Sequence, residues 1–121
     1  HMVSVFKNTG KNFFSLPNEL FFLNIGHGVI TVYAYLLYCE DRRTHQCHPS
    51  YRTISDVVHL TVSTVMKHIT KLADRQFITV ESTSYIDKRG MKWNGNNLYT
   101  ILPIQMAIDY CYQQQLLRLE A

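Results

Sequence analysis

Apolar side chains recur along this chain with two different periods, and the change from one to the other after Gln76 separates a helical stretch from a stranded one. From Val29, apolar and aromatic residues stand at 29, 32, 33, 36 and 37, the three-and-four spacing of a helix with one buried stripe that runs to about Glu40. Upstream, Leu16-Pro17-Asn18-Glu19 predicts a short helix through about Leu23, with Pro17 in the first turn where its missing donor is not needed. Gly26 and Gly28 interrupt the chain between the two. Thr44 to Pro49 reads as a loop or very short strand, because Pro49 pushes His48 toward an extended conformation. A second helix, about Ser50 to Val58, would bury Tyr51, Ile54, Val57 and Val58 and leave Arg52 and Asp56 in water. Thr61 is an N-cap for a third helix over 62–75, whose inward stripe is Val62, Val65, Ile69 and Leu72.

Beyond Gln76 the spacing is that of strands. Phe77 to Thr83 predicts one strand and Asn97 to Leu102 its returning partner, with a long tip over 84–96 rich in Gly, Asn, Lys and Arg. Pro103 opens a last helix carrying Ile104, Ala107, Ile108, Cys111, Leu116 and Leu117, with Tyr110 and Tyr112 beside them. The expected fold class is mainly α with a small β-hairpin. Two helices joined by a tight turn and followed directly by a hairpin form the order of a winged helix-turn-helix. Residues 13–102 are expected to make that domain. Residues 103–121 are a C-terminal helical extension that either closes the core against residues 29–37 or joins two copies into a homodimer. Residues 1–12 comprise a tag remnant, His1-Met2, and an N-terminal arm.

Composition narrows the function. At 121 residues, 46% apolar and 17% charged, the chain suits one domain and is too short for a doubly wound nucleotide fold or a barrel. The net charge of +3 is small, but its placement is uneven. Both ends are mildly acidic, whereas Arg42 to Lys92 holds nine basic residues against four acidic ones, a density that attracts a polyanion. Three irregularly spaced cysteines argue against a disulfide framework, suit a reducing compartment, and with no apolar run long enough for a membrane helix lead to a cytoplasmic expectation. No phosphate-cradling loop, HExxH or nucleophile elbow is present, so neither an enzyme nor a cofactor is expected. Cys39, His45, Cys47 and His48 fall within ten residues but match no standard zinc knuckle, and packing roles are expected instead of a metal site.

The third helix carries the candidate chemistry. A helix reads the major groove when one face packs on a scaffold and the other offers short polar and cationic groups. Ser63, Met66, Lys67 and Thr70 are the expected base contacts, with Thr61, Thr64 and Lys71 nearer phosphates and Arg52 touching the backbone from the preceding helix. In the wing, Lys88, Arg89, Lys92 and Asn94 are expected to lie along the backbone or in the minor groove. Trp93 either anchors the wing on the core or stacks on an exposed base or sugar, and Tyr85 with Trp93 among cations keeps a single-stranded ligand open. His68 is a helix-packing residue that would lie near phosphate if charged.

From about Phe13 to Ile101 the sequence resembles the winged helix-turn-helix domains of bacterial, plasmid or phage replication-initiator proteins and related helix-turn-helix regulators. The resemblance rests on Leu16-Pro17-Asn18-Glu19-Leu20-Phe21, Val32 to Leu36, His48-Pro49-Ser50 leading to Ile54, Thr61 with Thr64-Val65, Ile69 with Leu72, Phe77-Ile78 and Asn97-Leu98-Tyr99. It implies double-stranded DNA recognition by helix 62–72 and the wing, in replication initiation or transcriptional regulation. The apolar pattern of the last helix points to a homodimer, and further initiator domains or replication and transcription proteins are expected partners. The chain departs from the pattern at Val62 and Ser63, where such families often carry a basic residue, and at His59 and Gln76, where small residues are common in the turns. That departure keeps open an alternative: an interaction module on the same scaffold, docking another protein through helix 104–117.

Overall fold

The computed structural model describes residues 13–120; the expected tag remnant and arm over 1–12 lie outside the described residues. A short 3-10 helix spans Asn18–Phe22, with Pro17 just ahead of it in an extended conformation (φ −61°, ψ 136°) rather than inside its first turn. Helix α1 (His27–Cys39) follows, beginning two residues before Val29. Helix α2 (Tyr51–Val58) is capped by Ser50, whose hydroxyl accepts the Thr53 N–H at 3.0 Å. Helix α3 (Val62–Asp74) is capped by Thr61, which accepts the Thr64 N–H at 3.3 Å. Each cap satisfies a donor that the first helical turn leaves without a partner.

The turn between α2 and α3 is three residues long and depends on His59, which adopts the left-handed conformation (φ 59°, ψ 41°). Its N–H and that of Leu60 both return to the Ser55 carbonyl, closing α2 and redirecting the chain into the Thr61 cap. Glycine is the usual residue in this geometry, so a Cβ-bearing residue is held there against a local cost.

Three strands back the helices: β1 (Gln46–Cys47), β2 (Ile78–Glu81) and β5 (Leu98–Ile101), in the order β1-β5-β2 and all antiparallel. Gln46 pairs with Thr100, and Ile78 with Ile101. The expected hairpin is therefore present, but in two pieces. Past Glu81 the chain leaves this sheet and forms a separate ribbon of β3 (Ser84–Ile86) and β4 (Lys92–Asn94), which is the wing. At the break, Gly95 donates its N–H to the Thr83 carbonyl, and a Cβ at Gly95 would stand 2.5 Å from the Thr83 hydroxyl, so the crossing depends on glycine.

The core joins the stripes of all three helices to the sheet: Val32, Tyr33 and Leu36 from α1, Ile54 from α2, Val65, Ile69 and Leu72 from α3, with Phe77, Ile78 and Tyr99. Tyr33 meets Phe77 edge to face at 5.3 Å. Two residues expected inside are not. Val57 is 50% exposed and Val62 39%. The eight-residue α2 turns only its 51/54/58 edge inward, and Val62 begins α3 before that helix reaches its neighbours. Gly28 is likewise part of α1 and not of the interruption ahead of it. A Cβ there would lie 2.6 Å from the His68 ring, so the glycine lets α3 approach the first turn of α1 closely.

Helix α4 (Ile104–Glu120) has two unlike halves. Ala107 is buried, Ile104, Ile108 and Cys111 pack against the core, and Ile104 shares a cleft with Tyr33 and Leu37. Tyr112, Leu116, Leu117 and Leu119 face outward. Among the described residues no helix is long and apolar enough to cross a membrane.

Candidate nucleic-acid interface

Burial of Val65, Ile69 and Leu72 fixes which side of α3 faces outward. Ser63, Met66, Lys67 and Thr70 are all exposed, at the three- and four-residue intervals that place them on one helix face. The four expected base-contact residues therefore share a surface. Their chemistry is differentiated: the Thr70 hydroxyl donates to the Met66 carbonyl at 3.0 Å, leaving its oxygen free only to accept, while Ser63 lies 3.3 Å from the Thr61 hydroxyl. Asp74, not anticipated, continues this face at its C-terminal end. Its negative charge confines the positive charge of this face to the turns of α3 ahead of it.

The expected backbone contacts separate into two groups. Arg52 is exposed on α2 and makes no ion pair among the described residues. Thr61 and Thr64 are engaged with each other, since the Thr61 hydroxyl caps α3 and also donates to the Thr64 hydroxyl at 2.9 Å. Lys71 does not extend the Lys67 stripe. It is half-buried and its ammonium donates to the Ile25 carbonyl at 3.1 Å, tying α3 to the segment that leads into α1. Lys71→Ala is accordingly expected to lower stability by about 1 kcal/mol while changing duplex affinity less than about twofold, a smaller loss than one phosphate contact produces. Thermal melting and fluorescence anisotropy read the two effects separately. A fall in affinity without a fall in stability would return Lys71 to the contact surface.

His68 also turns inward, against Gly28. Burial, then the nearby Lys71 and His27 charges, hold its pKa below the ordinary histidine value, so near pH 7 it adds no cation to the outward face. The cysteine and histidine group expected to pack does so in part. The Cys47 thiol is buried, lies 3.6 Å from the Leu36 carbonyl and has its pKa pushed up to about 12, chiefly by burial, which makes it a poor nucleophile and a poor ligand. His45 reaches Glu40 at 3.0 Å. Among the described residues no cluster of three or more His, Cys, Asp or Glu is arranged to hold a metal ion.

The wing is organised by Asp87, which opens the tip turn. Gly90 donates to the Asp87 carbonyl at 3.0 Å with φ +83°, and the Asp87 carboxylate accepts from the Arg89 and Met91 N–H groups at 2.8 and 3.0 Å and from the Trp93 indole N–H at 2.8 Å. The Arg89 guanidinium lies 3.6 Å from the same carboxylate. With the Trp93 and Met91 bonds foremost, these donors keep the Asp87 pKa below the usual carboxylate value. Lys88 and Arg89 thus stand at the end of a fixed turn. Lys92 and Asn94 alternate with Trp93 along β4 and occupy the opposite face of the ribbon from it.

Trp93 does not anchor the wing on the core: it is 45% exposed and its indole N–H is held within the wing. The anchoring falls to two asparagines at the end of the tip and the start of the returning strand. Asn97 donates to the Tyr51 hydroxyl at 2.8 Å and Asn96 to the His48 carbonyl at 3.2 Å, fixing the wing root to the start of α2. The Asp87-Lys88-Arg89-Gly90 pattern of a tight turn was the available signal for Asp87, whereas the asparagine roles depend on partners more than forty residues away.

Residues 23–78 match the family described as a helix-turn-helix domain, a span that takes in α1, α2 and α3 and stops at the first residue of β2. No curated protein matches the chain. Among the solved structures that resemble it is the "Possible transcriptional regulator from Methanosarcina mazei Go1", at 22% sequence identity and a TM-score of 0.52, covering 81% of this chain and 76% of that one. At that identity the likeness is one of fold. Three packed helices with a His59-centred turn, a three-stranded sheet and a projecting β3–β4 ribbon make this chain a winged helix-turn-helix.

Proposed function

We propose that this chain is a double-stranded DNA-binding regulator that places residues 62–72 of α3 in the major groove and lays the wing along the backbone or into the minor groove, in transcriptional regulation or replication initiation. The observation that carries this reading is the single outward face of Ser63, Met66, Lys67 and Thr70, backed by a buried stripe and flanked by Arg52 and the wing cations. The helix-turn-helix match over the same three helices supports it. Short polar side chains and a cation on a rigid helix suit base edges, while Lys88, Arg89 and Lys92 suit phosphates.

A single copy offers few cations, so its phosphate contacts are few and its affinity weak at physiological salt. We infer a homodimer formed through the distal half of α4, where Tyr112, Leu116, Leu117 and Leu119 are exposed on an otherwise docked helix. Two copies double the phosphate contacts and read a two-fold symmetric site.

Selection of bound sites from a random duplex pool at two salt concentrations tests both statements. Enrichment of an inverted repeat is the expected result. Uniform weak retention that disappears with added salt would overturn sequence-specific reading. Sedimentation that finds only monomer at high micromolar concentration would remove the dimer and leave the distal α4 surface to another protein.

A further inference from the structure

The wing ribbon has two chemically different faces. Tyr85 and Trp93 are directly opposed across β3 and β4, so their rings lie on the same side, whereas Ser84 opposes Asn94, and Ile86 opposes Lys92, on the other. Tyr85 is 57% exposed and Trp93 45%, and no core residue covers either. The Trp93 indole N–H, its sole hydrogen-bonding group, is already taken by Asp87. What this side chain can still offer a ligand is the face of its ring, held in orientation by that bond.

We propose that the Tyr85–Trp93 face is a stacking platform for unpaired bases, taking a short single-stranded nucleic-acid segment beside the duplex read by α3. The inference rests on the proposed nucleic-acid-binding role and adds a second ligand form to it. Charge selects the occupant. Residues 84–96 carry Lys88, Arg89 and Lys92 against one carboxylate, Asp87, which is engaged within the wing by the indole, two backbone N–H groups and Arg89. Aromatic rings on a ribbon of net positive charge match a strand that alternates planar bases with phosphates. An intact duplex keeps its base faces stacked on one another and has none to give these rings.

Trp93 is the only tryptophan in the chain, so its fluorescence reports this surface without a label. Titration with an oligothymidylate of about ten nucleotides is expected to quench most of the indole emission, and a blunt duplex much less. Trp93→Leu is expected to weaken oligothymidylate binding by about tenfold, the scale of one base–aromatic contact. Trp93→Phe, which keeps a ring and loses the Asp87 bond, is expected to stay within about threefold of the parent. Thermal melting of each variant controls for the fold. The proposal is overturned if the oligothymidylate leaves the emission unchanged, if the duplex quenches equally, if Trp93→Leu binds as the parent does, or if Phe loses as much as Leu. Duplex anisotropy run in parallel separates the two readings: loss of single-strand binding alone removes the platform, and loss of duplex binding alone removes the α3 reading.

Discussion

Lys67→Glu is expected to weaken specific duplex binding by about 100-fold, the largest single effect on function foreseen for this surface. Lys67 is the only cation among the four outward residues Ser63, Met66, Lys67 and Thr70, and no carboxylate among the described residues pairs with it. Removing one base contact costs about 1–3 kcal/mol, and reversing the charge adds repulsion from the phosphates that flank the groove. The slope of affinity against salt should flatten by no more than about one counterion. Stability should move by less than about 0.5 kcal/mol, since the side chain is exposed and caps nothing. Lys67→Ala should change which sequences a random duplex pool yields, whereas Arg89→Ala should weaken all of them about equally, and only mildly, because Asp87 already balances part of that charge. Unchanged duplex affinity in Lys67→Glu would remove the outward face of α3 from the interface.

The largest stability effect is expected from Leu72→Ala. Leu72 is fully buried in the core on the inward side of α3, one turn beyond Ile69. Truncating it leaves a cavity in a packed core and is expected to cost about 3 kcal/mol, a large share of the roughly 5–15 kcal/mol that holds a domain together. The melting temperature should fall by about 10 °C for a chain of this size. Calorimetry or circular dichroism measures it, and a fall below about 3 °C would mean the core relaxes to fill the space. Unlike Lys67→Glu, this variant should recover duplex binding at temperatures where it remains folded, because the outward face is untouched.

The parts of the molecule legible from sequence are those governed by neighbours in the chain. Ser50 and Thr61 announced their helices because a cap hydroxyl bonds to an N–H only three residues on. The outward face of α3 was legible because Val65, Ile69 and Leu72 leave little freedom over which side is wet. The setting of Lys71 is illegible for a reason of the opposite kind. Its spacing from Lys67 suggested a shared stripe, but its partner is the Ile25 carbonyl, 46 residues away in sequence. Trp93 was undecided because composition does not say whether an indole faces a core or a carboxylate on its own ribbon. Asp74 is legible on the same face from its four-residue spacing to Thr70.

The sheet imposes an order on how this surface is assembled. α1, α2 and α3 pack on one another across short connections, whereas the pairing of β1 with β5 closes a loop between Gln46 and Thr100. Long-range closure is entropically costlier and slower than local helix packing. Folding therefore favours the three helices first and the sheet afterwards, and the wing, rooted between β2 and β5, gains its fixed position last. A chain emerging during synthesis is expected to form α3 before the ribbon that stands beside it.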